Sequence, residues 1–460
     1  MKTMENANAS TAAVTPEFLS RISRGIIEIQ KTPKKLWFPV GMMLGLLMFS
    51  GLLYGAYNFL FIGHQTLANS KEVPWNLFIV MYAFAISSIG LSYIASFGIV
   101  LGIKQFDVIA RRALFLAILI INAGMISVAA DMRQPLHAVY LMLTTHATSP
   151  LGVVAITINL YLLLIMAELY LLMKRGHEDR LVRIVATAAF GTALIVHSFH
   201  GAIFGLAHSR GFWSGPYYPI YFLLSALFCS SSIILLVTYS TYKVTGVKIT
   251  AKLENTLRDI GKLLVYLLGI GMFFLFWKMT YAWYVDKPET SLLFAGPYAI
   301  NFWVFEVLLG YLIPILIIVI SQYNLKMMAF AAFLALVGLF MSRYDFIIVG
   351  QLNPYLGFAP FGSELGGSIS PLGLADYMPN FVEVATGIGL FGMVLTAYVL
   401  GCKFLPLSKD ELETHELQPH RHGIDLDDLF EKPMVPEPPP PPERRWTGDP
   451  EEKDWGGERI

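Results

Sequence analysis

Cysteine is almost absent from this chain of 460 residues, which holds two, Cys229 and Cys402. Both lie within apolar runs of the sequence. Two thiols cannot supply the four thiolate ligands of an iron–sulfur cluster or of a tetrahedral zinc site. They cannot build a disulfide framework either. We therefore expect no resident metal centre and no disulfide scaffold in this chain.

Charge is also scarce, since 14% of the residues are charged and 55% are hydrophobic, with a mean hydropathy of +0.58. Soluble domains carry roughly 25% charged residues. The formal net charge is zero, which gives no general attraction to nucleic acid. The first thirty-odd residues are polar, and the apolar run after them shows no clear small-residue cleavage site, so we expect no cleavable signal peptide. The composition predicts a polytopic membrane protein.

A haem is not expected, because its two axial ligands approach the ring from opposite faces and usually come from two helices. His197 and His200 are three residues apart, so they project from one face of one predicted helix. His64 lies at the end of a predicted helix, and His137 and His146 belong to a polar stretch between helices. This distribution argues against a b-type cytochrome.

Apolar runs long enough to cross a bilayer dominate the rest of the chain, given that a spanning helix needs about 20 apolar residues. The sequence predicts an all-α polytopic membrane protein with about ten such helices. Their expected ranges are Trp37–Ile62, Asn76–Ile103, Ala113–Ala130, Leu151–Met173, Ile184–Ala207, Tyr217–Tyr239, Leu263–Val285, Phe302–Ile320, Met327–Met341 with an optional extension to Ile348, and Phe381–Leu405.

Lysine and arginine alternate between the connections of these helices. One set is basic, with residues such as Lys34, Arg111, Arg175, Lys243 and Lys326, and the other set carries about one basic residue per connection, namely Lys71, Arg133, Arg210, Lys287 and Arg343. Basic loops stay in the cytoplasm. Both termini are therefore predicted to be cytoplasmic, and the polar stretch Asp131–Pro150 is predicted to face outward.

Three regions follow from this pattern. Residues 1–35 form a cytoplasmic N-terminal segment, residues 36–405 form the transmembrane domain, and residues 406–460 form a cytoplasmic tail. The tail is charged and then proline-rich at Pro438–Pro442, which favours an extended polyproline conformation. It is either a solvated flexible tail or a partner-docking segment. The Gly- and Pro-rich loop Pro354–Pro379 is predicted to lie on the outer side.

Ionisable residues inside the predicted spans are costly and invite a functional interpretation. They are Glu168, His197, His200, Lys278, Glu306 and Glu383. Taken singly, each is equally well explained by a buried ion pair or a hydrogen bond to the backbone. Most lie in the outer halves of their helices, and Asp131, Arg133, Arg343 and Asp345 are expected at the same surface. This bias predicts a polar site near the outer face for a ligand with a polar head and an apolar tail.

Several segments in series resemble the NrfD/PsrC-like family of polysulfide reductase membrane subunits. They are VPWNLFIVMYAFAISSIG, DMRQP, TTHATSPLG, HGAIFGLAHSRGFWSGPYYPIYFLLSAL, NFWVFEVLLGYLIP and YMPNFVEVATGIGL, spread over about residues 75–400 in the family's order. The ten helices resemble the longer branch of the family, to which the membrane subunits HybB and DsrP belong. The resemblance implies two adjacent four-helix bundles plus peripheral helices, in the inner membrane of a bacterium.

The same resemblance implies a quinone site near the outer face and electron exchange with an iron–sulfur, ferredoxin-like partner among further redox subunits. The quinone is menaquinone or ubiquinone, and family members generally hold no metal themselves. In DMRQP, Arg133 stands one position before the family's arginine, and Gln134 takes its place. The quinone contacts predicted from the resemblance and the outward-facing residues are Asp131, Arg133, His137, Tyr140, His146, Tyr82 and His64.

The residues predicted to form a proton path are Glu168, His197, His200, Lys278, Glu306 and Glu383. Quinone chemistry moves two protons and needs titratable groups beside the headgroup. This favours a quinone-reactive subunit, with proton translocation as a separate, open question. A secondary transporter is an alternative, although the sequence shows no clear internal repeat and its charges lie away from the midplane. A structural membrane anchor for soluble redox subunits is the third hypothesis, and it leaves the buried Lys and Glu residues unexplained.

Overall fold

The computed structural model describes residues 34–146, 148–207, 210–352 and 377–412. Within these ranges the chain is helical and contains no strand. The predicted segment before Lys34, nearly all of the loop Pro354–Pro379 and the Pro-rich tail lie outside the described residues. The proposed division into an N-terminal segment, a transmembrane domain and a tail therefore stays a prediction.

Ten of the described helices are long and apolar enough to cross a membrane, which confirms the all-α, ten-span prediction. The helices are α1 Trp37–Ile62, α2 Leu77–Leu101, α3 Lys104–Asp131, α4 Pro135–Thr144, α5 Pro150–Arg175, α6 Arg180–Gly205, α7 Tyr217–Thr245, α8 Ala251–Tyr284, α9 Pro288–Phe294, α10 Asn301–Ile320, α11 Leu325–Leu352, α12 Phe381–Phe404 and α13 Lys409–Leu412. All except α4, α9 and α13 are the spans.

Short polar side chains at the helix starts explain several of these bounds. An N-cap side chain accepts a hydrogen bond from a backbone N–H that has no partner within the helix. Asn76 does this for α2, Asp179 for α6, Thr250 for α8 and Asn380 for α12. At the other end, Gly246 adopts φ +78° and ends α7. The polar residues between apolar runs therefore define where the spans begin.

The core consists of two adjacent four-helix bundles, as the resemblance implied. Helices α2, α3, α5 and α6 pack in a ring, and α7, α8, α10 and α11 pack in a second ring. The bundles meet where α7 and α11 pack against α2, and where α7 packs against α6. Helices α2 and α7 are the most buried of the ten spans. The interface between the bundles is therefore the centre of the protein.

Helices α1 and α12 form a peripheral pair beside these bundles. They pack extensively on each other, and α12 contacts α3 and α2. Glycine allows their close approach: a Cβ added at Gly51 would clash with the backbone of Ala385, and one added at Gly389 would clash with the backbone of Leu52. Helix α1 is the least buried span. The first and last spans thus pair with each other across the whole length of the chain.

Two faces of the molecule are used below. The basic face carries the connections α2–α3, α5–α6, α7–α8 and α10–α11, and it also carries Lys34 and α13. The distal face is the opposite one, where α1 ends and α12 begins. At the basic face, Arg112 of α3 is fully buried and bonds to Glu411 of α13 through Nη2 and Oε2 at 2.5 Å. Arg112 was expected in a loop, but the helix begins earlier than predicted and α13 supplies its partner.

The ninth span is longer than predicted. Helix α11 continues to Leu352, past both the expected end at Met341 and the optional extension to Ile348. Arg343 and Asp345 were therefore expected at the outer surface, but they are 1% and 2% exposed in the interior. The prediction failed because hydropathy counts an arginine as a stop, while serines on α2 and α7 satisfy this arginine inside the protein.

Candidate functional site

A cavity of about 260 Å³ lies at the distal face between α1, α2, α3 and α12. Its walls include His64, Thr66, Phe78, Ala130 and Thr386. His64 Nε2 forms a hydrogen bond with the carbonyl oxygen of Met132 at 3.0 Å. This contact holds the ring at the end of α3, so one of the predicted quinone contacts borders a real cavity.

The loop between α1 and α2, which carries His64 and Thr66, is held at both ends. Asn380 Nδ2 donates to the carbonyl oxygen of Thr66 at 2.6 Å. Gln351 binds both backbone groups of Trp75, at 3.0 Å and 3.1 Å. The indole of Trp75 also stacks on Trp213, with ring centroids 5.2 Å apart. The distal cavity therefore has a fixed wall, which is what a binding site needs.

Two carboxylates lie near this cavity, and they differ in their bonding. Glu383 accepts hydrogen bonds from the backbone N–H of Ala68 at 2.7 Å and from the hydroxyl of Tyr377 at 2.5 Å. Burial, together with the neighbouring Glu383, raises the pKa of the Tyr377 phenol, so this hydroxyl stays a donor. Asp131 lies against the backbone of Asn76, and among the described residues its buried Oδ1 has no hydrogen-bond partner. Asp131 is thus the carboxylate with a free acceptor atom.

Four other predicted quinone contacts lie on the surface of the distal face. Arg133, His137, Tyr140 and His146 are exposed, on or beside the short helix α4. The rings of His137 and Tyr140 contact each other edge to face, with centroids 5.3 Å apart. None of the four lines the cavity beside His64. Their part in quinone binding stays a prediction.

Tyr82 and His200 meet inside the first bundle, where the Tyr82 hydroxyl and His200 Nε2 form a short hydrogen bond. His200 Nδ1 is 2.8 Å from the carbonyl oxygen of Val196. A carbonyl cannot donate, so Nδ1 carries the proton and Nε2 accepts from Tyr82. His197, one turn earlier on α6, is fully buried, and neither ring nitrogen has a hydrogen-bond partner within the described ranges. The pair therefore holds one bonded and one unbonded imidazole.

Arg343 joins the two bundles. Its Nη2 donates to Ser87 Oγ of α2 at 3.1 Å and to Ser225 Oγ of α7 at 2.5 Å. The guanidinium lies over the ring of Phe222 at 4.3 Å, and Nε has no hydrogen-bond partner. Neutral hydroxyls, rather than a carboxylate, thus accept the hydrogen bonds of this buried cation.

The remaining ionisable residues of the second bundle surround this arginine. Glu306 accepts a hydrogen bond from Ser342 Oγ at 2.7 Å. Lys278 Nζ lies over aromatic rings, 5.0 Å from the centroid of Phe212. Arg343 is an electrostatic neighbour of His197, of Glu306 and of Lys278. Four of the six predicted proton-path residues, His197, His200, Lys278 and Glu306, therefore share one polar interior.

Glu168 and Glu383 lie apart from that interior. Glu168, on α5 toward the basic face, accepts a hydrogen bond from Ser96 Oγ at 3.3 Å, and its Oε2 is buried without a partner. The neighbouring Tyr161 hydroxyl bonds Ser92 Oγ at 2.9 Å. Sequence reasoning did not single out the serines. The signal was present in the runs SSIG at 87–90 and SSS at 230–232, which place hydroxyls in otherwise apolar spans.

Ten spans that enclose ionisable residues and a distal cavity define a polytopic membrane protein with a polar interior. The chain belongs to the NrfD family: the family model described as polysulphide reductase, NrfD, matches residues 65–354. Within the described ranges, no group of three or more His, Cys, Asp or Glu side chains is arranged to hold a metal ion.

Three similar proteins are named as subunits of reductases or of an oxidoreductase, two of them as membrane subunits. A subunit of the selenate reductase of Mesobacillus selenatarsenatis is 25% identical over 425 residues, covering 83% of this chain and 96% of the relative. The Hdr-like menaquinol oxidoreductase integral membrane subunit of Archaeoglobus fulgidus is 28% identical over 346 residues, covering 74% and 86%. A putative dimethyl sulfoxide reductase membrane subunit of Halobacterium salinarum is 25% identical over 51% of this chain and 56% of its own length. The chain is thus an integral membrane subunit of the reductase-complex type.

Proposed function

We propose that this chain is the quinone-reactive membrane subunit of a respiratory oxidoreductase complex, with menaquinone or ubiquinone as substrate. The observation that carries the proposal is the cavity of about 260 Å³ at the distal face, whose walls include His64 and Ala130, the residue before Asp131. It has the size of a ring-shaped headgroup rather than of a whole ligand with its tail, since complete small-molecule pockets occupy about 300–1,000 Å³. The name of the Archaeoglobus fulgidus relative supports the substrate class.

The residues around the cavity suit the chemistry of a quinol. Oxidation of a quinol to a quinone releases two electrons and two protons, so proton acceptors must lie beside the hydroxyl groups. The free Oδ1 of Asp131 takes one proton, and the His64 imidazole takes the other at Nδ1, since its Nε2–H donates to the carbonyl oxygen of Met132. Thr66 and Phe78 position the ring. The reverse reaction uses the same groups as donors.

The two electrons leave through a partner, since the two cysteines of this chain are single buried thiols. The proposed partner is an iron–sulfur, ferredoxin-like subunit that docks on the distal face, close to the headgroup. The exposed residues Arg133, His137, Tyr140 and His146 lie on that face. In this proposal they form the surface around the quinone entrance and the partner contact.

The polar interior around Arg343 is proposed as the proton path. Tyr82, His200 and His197 lie on the first bundle's side, and Glu306 and Lys278 on the second bundle's side. Arg343 bridges them through Ser87 and Ser225. Glu168 extends the path toward the basic face, and Glu383 couples it to the distal cavity as an electrostatic neighbour of Asp131.

The orientation follows from charge. Basic connections remain in the cytoplasm, so the basic face is proposed to be cytoplasmic and the distal face to lie outside. Lys34 and Leu412, the ends of the described chain, then both lie on the cytoplasmic side of a bacterial inner membrane. The transmembrane domain covers residues 36–405, and the flanking regions are proposed to be cytoplasmic.

The test uses the complex purified from membranes with its partner subunits. Quinol analogues are added, and reduction of the copurifying clusters is followed by electron paramagnetic resonance, with quinone binding followed by quenching of a fluorescent quinol analogue. His64→Gln and Asp131→Asn are expected to weaken binding and cluster reduction by about 10- to 100-fold, as for lost positioned acid–base groups. The matched control His177→Gln changes the same residue type at the basic face, where the ring bonds Asp410, and is expected to leave both unchanged.

Four outcomes would contradict the proposal. If the complex binds no quinone, or if both cavity variants keep full cluster reduction, the cavity is not the headgroup site. Retained activity after neutralisation of the buried charges would favour a structural anchor. Uptake of a labelled solute into liposomes by this chain alone would favour a secondary transporter.

A further inference from the structure

A second and larger cavity separates the α1–α12 pair from the two bundles. It measures about 770 Å³ and is bounded by α1, α2, α3, α7, α11 and α12. It extends from the basic face, where Trp37 of α1, Thr245 of α7 and Cys402 of α12 lie in its walls, to Ser127 of α3 and Gly387 of α12 toward the distal face. The cavity arises because α1 and α12 pack tightly on each other and α12 reaches the bundles mainly through α3 and α2.

This cavity opens sideways rather than toward water. Val40 and Leu44 of α1 are 53% and 48% exposed, and Phe333 of α11 on the opposite wall is 48% exposed. At the basic face the space is closed by a bridge from Lys34 to α7. The Lys34 N–H donates to the carbonyl oxygen of Thr245, and Lys34 Nζ donates to that of Lys243, each at 3.2 Å. A ligand of this cavity therefore enters from the hydrocarbon of the bilayer.

The chemistry of the walls changes along the cavity. Toward the centre of the membrane its walls are apolar, formed by residues such as Ile120, Leu336 and Phe340. Toward the basic face the Tyr398 hydroxyl lies 2.9 Å from Thr241 Oγ1 and also bonds Arg112. When an apolar cavity is empty, the atoms that line it lose dispersion contacts on that side. The ligand that matches this gradient is a hydrocarbon chain whose polar end lies at the basic face.

The rim of the cavity at the basic face is positively charged. Lys34, Lys35 and Lys243 are exposed there, and Lys403 Nζ lies over the ring of Phe38 at 3.7 Å. Each of these lysines is within three residues of a side chain in the cavity wall. The acidic residues of α13 are already paired, Asp410 with Arg111 and Glu411 with Arg112. The rim thus offers positive charge to an anionic headgroup.

We propose that this cavity binds an anionic phospholipid from the leaflet at the basic face. One acyl chain occupies the cavity, and the phosphate contacts the lysine rim. A juxtamembrane cluster of basic residues attracts anionic lipid headgroups. A quinone is the poorer match, because its headgroup is uncharged and the free carboxylate suited to it, Asp131, lies at the distal face. The lipid would join the α1–α12 pair to the bundles.

The first test measures bound lipid on the complex purified in mild detergent, by native mass spectrometry and by phosphate analysis of the extracted lipids. One anionic phospholipid per chain is expected to survive washing. Val394→Trp places a large ring in the cavity wall of α12 and is expected to lower this occupancy at least tenfold. The matched control is Val384→Trp, on the same helix and 41% exposed but outside both cavity walls. It is expected to retain the lipid.

The second test measures the preference for headgroup charge. The complex is stripped of lipid and offered vesicles of phosphatidylglycerol or of phosphatidylcholine. In the double variant Lys243→Gln/Lys403→Gln, the ratio of phosphatidylglycerol binding to phosphatidylcholine binding is expected to fall about tenfold. Arg180→Gln, a charge change at the start of α6, is expected to keep the wild-type ratio. Recovery of a quinone in place of phospholipid from the wild-type cavity would overturn the proposal.

Equal lipid retention by the two Trp variants would also overturn it, as would equal binding of both vesicle lipids by the wild-type complex. Val337→Phe, a smaller filling on α11, is the second variant in case Val394→Trp does not fold. Folding is checked by size-exclusion chromatography and by the yield of assembled complex. The first test reads out lipid alone, so its result does not depend on quinone activity.

Discussion

Two buried arginines show how differently this protein uses charge. Arg112, at the basic face, meets Glu411 through two of its nitrogens, at 2.6 Å and 2.5 Å, and also bonds Tyr398 and Ser408. Arg343, at the interface between the bundles, donates its hydrogen bonds to two serine hydroxyls. One guanidinium is fully matched by a carboxylate. The other is solvated by neutral groups.

This difference in hydrogen-bond partners suggests different roles: Arg112 stabilises the structure, and the charge of Arg343 is available for function. A matched buried ion pair holds its elements in one geometry, and removal of one partner leaves an uncompensated charge. A cation held by hydroxyls keeps its field, which acts on His197 and Glu306. We therefore expect changes at Arg112 to lower stability and changes at Arg343 to lower activity. Four predictions test this separation, from the largest expected effect to the smallest.

Arg112→Ala is expected to destabilise the protein by about 3–5 kcal/mol, because it leaves Glu411 buried without its partner. The measurement is thermal or dodecyl-sulfate unfolding of the purified complex. The double variant Arg112→Met/Glu411→Leu removes both charges and is expected to recover most of the loss. If the double variant is as unstable as the single one, the unpaired charge of Glu411 does not explain the loss of stability.

Arg343→Met is expected to lower quinol-dependent cluster reduction about 100-fold, equivalent to about 2.7 kcal/mol in the activation barrier. Stability should fall less than for Arg112→Ala, because the serine hydroxyls retain partners. Ser87 Oγ bonds the carbonyl oxygen of Ala83 at 3.1 Å, and Ser225 Oγ bonds that of Phe222 at 2.9 Å. Arg343→Lys, which keeps the charge, should preserve more activity. The reverse order of stability losses would break the comparison.

Tyr82→Phe removes the donor to His200 Nε2 and keeps the ring, so we expect about a tenfold loss of activity, equivalent to about 1.4 kcal/mol. The pH profile of cluster reduction is the measurement, and it should shift as His200 loses its hydrogen bond. Tyr284→Phe makes the same change on an exposed tyrosine outside both cavities and should leave the profile unchanged. An unchanged profile in Tyr82→Phe would remove this pair from the proton path.

Glu254→Gln breaks an ion pair on the surface of the protein. Glu254 Oε1 lies 2.7 Å from Arg258 Nη2 one turn along α8, and the two side chains are 38% and 49% exposed. Exposed pairs of this kind contribute about 0.3–0.5 kcal/mol. The free energy of unfolding should therefore change by less than the difference in unfolding free energy between the Arg112 and Arg343 variants. Activity should not change. A larger effect would mean that closeness to a carboxylate, without burial, decides how much an arginine contributes to stability.

The number of helices, their approximate ranges and the family could all be predicted from the sequence, because apolar length and loop charge are local signals. Which buried charges meet could not. Arg343 was expected at a surface, since hydropathy cannot show that Ser87 lies 256 residues away in sequence and beside it in space. Arg112 was expected in a loop for the same reason, because its partner Glu411 follows 299 residues later.

The candidate site shows the same limit. His64 and Tyr82 were predicted as quinone contacts together with His137 and His146, since all four are polar residues near one membrane face. The structure separates them into a cavity wall, a bundle interior and an exposed surface. Residue type and depth were predictable from the sequence. The direction of each side chain depends on helix packing, which a single sequence does not contain.

The close packing of α1 against α12, which Gly51 and Gly389 allow, has a consequence for synthesis of the protein. Of the ten described spans, a ribosome makes α1 before the others and α12 after them, so α1 enters the bilayer with its partner still untranslated. Helix α1 tolerates this because its range Trp37–Ile62 contains no Asp, Glu, Lys or Arg, and such a helix is stable in lipid without a partner. Pairing across so long a sequence separation is a late event in folding. The final span therefore completes the assembly of the first, and a chain interrupted before Phe381 would leave α1 detached.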